Sequence, residues 1–142
     1  MLEGTDESYW IDSTSVTAYP PLAGDLETDV VVIGGGIAGL CTAWELTEAG
    51  MRVALVEADR IAAGVTGYTT AKLSVLHTLI YARVRDSSGP DAARLYAESQ
   101  QQAVERVAEV ASRLGVDCEL ERVPAFTYTE SPDGLDAIRD EA

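Results

Sequence analysis

The stretch Asp29–Val30–Val31–Val32–Ile33–Gly34–Gly35–Gly36–Ile37–Ala38–Gly39–Leu40 limits the possible folds more than any other part of the chain. Val30 to Ile33 is an unbroken β-branched run, the composition of a strand covered on both faces. Gly34, Gly36 and Gly39 follow at G-x-G-x-x-G spacing. The first glycine permits a tight turn out of the strand. The second lets a pyrophosphate approach the backbone, and the third lets the next helix lie close to the sheet. That helix is expected from about Ile37 to Ala49, with Ile37, Leu40, Cys41 and Trp44 on its apolar face. Gly50 fits the left-handed position that ends it. Val53–Val56 reads as a second buried strand, and Glu57 stands at its carboxyl end, where a carboxylate accepts hydrogen bonds from a ribose. The glycines alone would be weak evidence; the glycines in register with two strands, a helix and a terminal Glu point to a dinucleotide. The competing reading is a chance glycine-rich turn in an ordinary βαβ unit.

At 142 residues the chain has room for one domain with a core. Its net charge of −14 argues against a nucleic-acid partner, which calls for a basic footprint. Positive charge comes from nine Arg and a single Lys, Lys72. That bias fits either an acidic, salt-adapted surface or a GC-rich genome. No apolar run approaches the roughly 20 residues of a membrane span. Met1 to Ser8 is acidic and polar, unlike a secretory signal, so a cytoplasmic location is the default expectation. Cys41 and Cys118 read as reduced structural thiols. With His77 as the one histidine, the sequence offers no metal-ligand spacing, and His77 itself reads as an ordinary packed or surface residue.

Residues 1–28 form an arm without periodicity that Tyr9, Trp10 and Tyr19 could pin to the main body. The hydroxyl-rich stretch Arg60–Ile61–Ala62–Ala63–Gly64–Val65–Thr66–Gly67–Tyr68–Thr69–Thr70–Ala71–Lys72 reads as a loop. Residues 73–85 are ambiguous between strand and short helix, and residues 87–90 make a turn. A long helix is expected over Asp91–Leu114, with Leu95, Val104, Val107, Ala111 and Leu114 on one side and Gly115 at its end. Residues 118–123 and 125–129 read as two short strands flanking Pro124. Ser131–Pro132–Asp133 reads as a helix start, and the helix that follows stops after about two turns.

The glycine turn, Glu57 and the Gly64-x-Thr66-Gly67-x-Thr69-Thr70-Ala71-Lys72 loop together resemble the FAD-dependent amine and amino-acid oxidoreductases of the D-amino-acid oxidase (DAO) superfamily. The likeness is to members that can carry a C-terminal Rieske domain, and the Tyr-Pro-Pro-Leu-x-Gly-Asp-Leu approach at 19–26 and the Leu-Ile-Tyr-Ala-Arg stretch at 79–83 add to it. The resemblance implies an α/β fold, a Rossmann-like FAD-binding βαβ unit of glutathione-reductase type, present only in its amino-terminal part. It implies an FAD-binding region over residues 29–115 after the arm of 1–28, and the beginning of a β-rich substrate domain over 116–142.

Carried over residue by residue, the resemblance places Gly34, Gly36 and Gly39 at the FAD pyrophosphate, Glu57 at the adenosine ribose and Arg60 near the adenine. Thr66, Gly67, Thr69, Thr70, Ala71 and Lys72 would run along the pyrophosphate toward the flavin ring; Tyr68 receives no role. The implied chemistry is hydride transfer from an amine or amino-acid substrate to FAD, with a downstream Rieske domain or other electron acceptor as partner. No residue here is recognisable as a substrate-binding acid or base, so the catalytic residues are unassigned. Two other readings stand: a non-catalytic nucleotide-binding fragment or subunit completed by another chain, and an NAD-dependent dehydrogenase. Glu57 permits the latter, and the loop at 64–72 weighs against it.

Overall fold

The computed structural model describes residues 6–15 and 17–142; residues 1–5 of the acidic amino terminus and residue 16 of the arm lie outside it. The chain divides into two compact units, one ending at Ala71 and one beginning at Lys72.

In the first unit, a four-residue helix α1 (Tyr9–Asp12) precedes strand β1 (Val30–Ile33), helix α2 (Ile37–Glu48), strand β2 (Val53–Val56) and one turn of 3-10 helix (Val65–Tyr68). β1 and β2 pair in parallel, with Val30 opposite Val53 and Ile33 opposite Val56. The Asp29 carboxylate fixes the entry to both strands. It accepts from the Arg52 backbone N–H at 2.8 Å and pairs with the Arg52 guanidinium at 2.8 Å. Gly50, at φ +84°, follows α2 in the left-handed conformation expected of it.

Two expectations fail here. The Val30–Ile33 run is not covered on both faces: Val32 is 9% exposed but Ile33 is 85% exposed. A two-stranded sheet with one helix has only one side to bury. The helix face is also rotated from the one expected. Ile37, Leu40 and Cys41 are exposed, whereas Gly39, Ala43, Trp44 and Leu46 are partly buried. Gly39 sets this rotation, because a Cβ there would strike the Gly34 carbonyl and lie 3.4 Å from Val32 Cγ1. The helix turns its smallest residue to the strand, and the bulkier Ile37 and Leu40 are carried outward.

The second unit is helical: α3 (Ile80–Ser88), α4 (Pro90–Leu114), a 3-10 turn (Pro132–Gly134) and α5 (Leu135–Glu141). The ambiguous stretch thus resolves into helix from Ile80 on, and Ser87 and Ser88 belong to that helix. The turn itself is at Gly89, φ +89°. Across the α3–α4 pair, the Tyr81 and Tyr96 rings meet edge-on with centroids 5.7 Å apart. Glu141 caps α3 from sixty residues away, accepting from the Tyr81 N–H at 2.9 Å and the Ala82 N–H at 2.7 Å. Beside it, the Arg85 guanidinium meets the Asp140 carboxylate at 2.7 Å. α4 ends as expected at Gly115, φ +62°, with the Val116 N–H donating to the Ala111 carbonyl and the Gly115 N–H to that of Ser112. Its inner face includes Val104, Val107 and Ala111, but Leu95 and Leu114 are exposed, and Tyr96 takes the place expected of Leu95.

Residues 118–123 and 125–129 form no strands. A strand needs a neighbour for its N–H and C=O groups, and this stretch finds none among the described residues. Phe126 and Tyr128 are each 80% exposed. The segment is held at Arg122, whose two terminal nitrogens each lie 2.7 Å from an oxygen of the Glu105 carboxylate on α4. Cys41 and Cys118 are free and exposed rather than structural core thiols. Among the described residues no helix is long and apolar enough to cross a membrane, and no cluster of potential metal ligands occurs.

Candidate cofactor site

Each of the three spaced glycines meets a different demand. Gly34, at φ +106°, has open space where a Cβ would stand, so its requirement is conformational. Its N–H donates to the Val56 carbonyl at 2.8 Å, extending the ladder one residue beyond β1. Gly36 caps α2, and a Cβ on it would meet Thr66 Oγ1 at 3.3 Å. Gly39 allows the close helix–turn contact described above. Gly35, which the spacing passes over, proves as constrained: it is buried, and a Cβ would meet Ile61 Cδ1 at 2.5 Å and Glu57 Oε2 at 3.2 Å.

Glu57 leaves the end of β2 and turns back onto this glycine turn. Its Oε2 accepts from the Gly35 N–H at 2.5 Å, and its Oε1 from the N–H groups of Ala58 at 2.8 Å and Asp59 at 3.1 Å. The Gly35 N–H, then that of Asp59, hold the carboxyl below its usual range; desolvation opposes them, and Ala58 adds a smaller downward pull. The result is a fixed anion beside the start of α2, with room among its roughly four lone-pair positions for a further hydroxyl donor.

Thr66 lies on the other side of the helix start, its Oγ1 accepting from the Ile37 N–H at 3.0 Å. The 3-10 turn that carries it was expected to be irregular loop. It is tied to the glycines through Ala62, whose N–H donates to the Gly35 carbonyl at 3.0 Å and which holds a left-handed backbone, φ +61°. Arg60, Trp10, Ile11, Thr14 and Thr66 line part of a cavity of about 600 Å³ behind this turn.

The structure therefore brings together Gly34, Gly36, Gly39, Glu57 and Thr66. Gly67 is buried and faces α1, where a Cβ would meet Ile11 Cδ1 at 2.5 Å. The Thr69 carbonyl accepts from Trp10 Nε1 at 2.7 Å, and its hydroxyl accepts from the Ala71 N–H at 3.3 Å. Thr70 is exposed, Ala71 has a left-handed backbone at φ +57°, and Lys72 is the first residue of the second unit. Of the aromatics expected to pin the arm, Trp10 does so and Tyr9 stacks edge-on against it, whereas Tyr19 is 74% exposed. Sequence reasoning missed Gly35, Ile61 and Ser8. A glycine between two motif glycines was the available signal for the first; the other two carry none.

Chemically, the arrangement is a helix amino terminus whose positive dipole end suits phosphate, with its Ile37 N–H already held by Thr66 Oγ1, next to an anchored carboxylate suited to sugar hydroxyls. The family model described as FAD dependent oxidoreductase (DAO) matches residues 29–142. YhfW of Bacillus subtilis (strain 168), named for a Rieske 2Fe-2S iron-sulfur centre, is 39% identical over 135 residues, covering 95% of this chain and 26% of that protein. Gamma-glutamylputrescine oxidoreductase of Escherichia coli (strain K12) is 30% identical over 119 residues, covering 84% of this chain and 28% of that protein. A thiamine thiazole synthase of Desulfosudis oleivorans is 54% identical over 39 residues, 28% of this chain and 15% of that protein. No solved structure is a significant match. The chain thus spans little more than a quarter of the length of the two relatives that match most of it, and it belongs to the DAO family of FAD-dependent oxidoreductases.

Proposed function

We propose that this chain is the amino-terminal FAD-binding part of a flavin-dependent oxidoreductase acting on an amine or amino acid. The observation that carries the cofactor half of this reading is Glu57, held by three backbone N–H groups at the end of β2 and against the glycine turn. The residues present fit the group: Gly39 admits the helix only because it lacks a Cβ, and this sets the start of α2 beside the carboxylate. Gly34, Gly36 and Gly39 would hold the pyrophosphate, Glu57 the ribose and Arg60 the adenine side. Thr66 would act at the phosphates, with Gly67, Thr69, Thr70, Ala71 and Lys72 continuing toward the ring. FAD, when bound, supplies a two-electron acceptor, and the protein orients it.

The amine half of the reading is supported by likeness to a protein named for gamma-glutamylputrescine. A Rieske centre or other electron acceptor as partner is supported by likeness to YhfW. Residues 29–115 would serve the cofactor and residues 116–142 begin a substrate domain, in a cytoplasmic protein. The exposed face of β1 favours completion of the cofactor pocket by further structure. A subunit completed by another chain would use the same surface.

The test is flavin retention. In the protein that carries this chain, Glu57→Ala should lower FAD affinity by about tenfold or more, the loss of charge-assisted hydrogen bonds to the ribose. Unchanged affinity, read by flavin fluorescence during titration, would overturn the assignment. The 142-residue chain by itself should retain FAD weakly, because an open ring site forfeits most of the burial that holds a cofactor.

A further inference from the structure

The arm contains a segment several of whose contacts converge on the turn that carries Thr66 and on the residue that follows it. The Ser8 hydroxyl donates to the Gly67 carbonyl, and the same oxygen accepts from the Ile11 N–H at 3.4 Å, capping α1. Trp10 Nε1 donates to the Thr69 carbonyl at 2.7 Å. The Tyr68 hydroxyl donates to Glu7 Oε2 at 3.0 Å. Ile11 fills the space that a side chain on Gly67 would need. Residues 67, 68 and 69 are thus each gripped from residues 7–11, about sixty positions earlier in the chain.

The same turn carries Thr66, whose hydroxyl sits on the first N–H of α2. We propose that Glu7–Ile11 is a positioning strap. It fixes the 64–69 turn, so that Thr66 stays in register with the glycine turn and the start of α2 is held ready. The strap touches none of Gly34, Gly36 and Gly39; it grips Gly67 and Thr69, which the reading above also places along the cofactor, and reaches the glycine turn through Thr66. Its effect on cofactor affinity rests on the FAD reading above; its hold on the turn does not.

Physical chemistry supports the assignment in two ways. A 3-10 turn has poorer hydrogen-bond geometry than an α-helix and does not hold itself well. Two external donors on the carbonyls of residues 67 and 69 supply what the turn lacks. Pre-ordering a binding loop lowers the conformational cost that a ligand would otherwise bear, so affinity changes without any new ligand contact.

Hydrogen exchange on the cofactor-free protein is the first measurement. Ser8→Ala combined with Trp10→Phe removes both donors and should raise exchange at the amides of residues 64–69 and at Ile37 by about tenfold. The β1 and β2 amides should be unaffected, which distinguishes a released turn from a misfolded unit. Ser8→Thr keeps a hydroxyl that can donate and accept, and should match wild type. FAD titration of the protein that carries this chain is the second. The double variant and Thr66→Val should each weaken affinity, and the triple variant should be no weaker than the poorer of the two, the signature of one path. Unchanged exchange at residues 64–69 overturns the strap. Faster exchange with unchanged FAD affinity, or fully additive losses, overturns its action through Thr66. A wild-type protein that takes up no FAD overturns the cofactor reading, and the exchange data still decide whether the strap holds the turn.

Discussion

The two units are held together by different means. In the first, beside the ion pair of Asp29 with Arg52, the organising contacts are made to backbone groups and small residues: three N–H groups on Glu57, a helix pressed against a strand at Gly39, and a turn gripped through its carbonyls. In the second, apart from the Glu141 carboxylate on the N–H groups of Tyr81 and Ala82, they run from side chain to side chain: Arg85 with Asp140, Arg122 with Glu105, and Tyr81 against Tyr96. A region built on backbone groups and close small-residue contacts tolerates little added volume. A region built on ion pairs and caps can lose any one of them and remain helical. Substitutions should therefore be severe in the first unit and graded in the second.

The sharpest way to break this contrast is Gly39→Ala. One methyl would collide with the Gly34 carbonyl, a backbone atom that cannot step aside without moving α2 off the turn. The expected loss is about 3 kcal/mol of stability in the first unit, the upper part of the overpacking range. Flavin retention should be lost with it, on the cofactor assignment proposed above. Exchange protection in α3 and α4 should persist, and its disappearance would show that the units do not fold separately.

Glu141→Ala is the counterpart in the second unit. It removes the acceptor of the Tyr81 and Ala82 N–H groups and should cost about 1 kcal/mol, the usual value for a lost amino-terminal cap. Faster exchange should appear in the first turn of α3 and not in β1 or β2. A loss as large as that of Gly39→Ala would show that the second unit, too, depends on a single contact.

What could be read from the sequence follows the same division. β1, the glycine turn, α2, β2 and Glu57 were legible because their determinants are local: β-branched runs, glycines at fixed spacing, a carboxylate at a strand end. The long helix α4 and its Gly115 stop were legible for the same reason. The face that α2 presents was not, because periodicity marks Ile37 and Leu40 as apolar without showing that Gly39 must face the strand. The expected strands in residues 118–123 and 125–129 failed for the converse reason: a local stretch can propose a strand, but only a neighbour makes one. The pairing of Glu141 with α3 and of Ser8 and Trp10 with the 3-10 turn spans about sixty residues, and no sequence period records such contacts. Lys72 combines a compositional signal, the single lysine, with a positional one, the end of the hydroxyl-rich loop.

A finer distinction between the two regions is the response of their carboxylates to acid and salt. Both Glu57 and Asp140 sit below the usual carboxyl range, Glu57 chiefly through the Gly35 N–H and Asp140 chiefly through its hydrogen bond with Arg85. A depressed folded-state pKa means that each contribution is present at neutral pH, above the unfolded value, and is lost as pH falls through the folded one. The acid limbs therefore have the same sign. Salt should separate them, since Arg85 and Asp140 are both substantially exposed and their charge–charge attraction is screened, whereas the Glu57 bonds run to fixed backbone dipoles at short range. In a labelled sample, the Gly35 amide resonance should titrate with a midpoint below about 4.3, the ordinary Glu value, and hold nearly constant as salt is raised. The Asp140 carboxyl should titrate low in dilute buffer and move up toward the normal Asp range in salt of about 1 M, where the screening length shrinks to about 3 Å. Glu57→Gln should abolish the Gly35 titration while leaving that of Asp140 in place. A Gly35 midpoint that rises with salt as Asp140 does would mean that Glu57 is held by charge rather than by the backbone, and the contrast between the two units would fail at its most specific point.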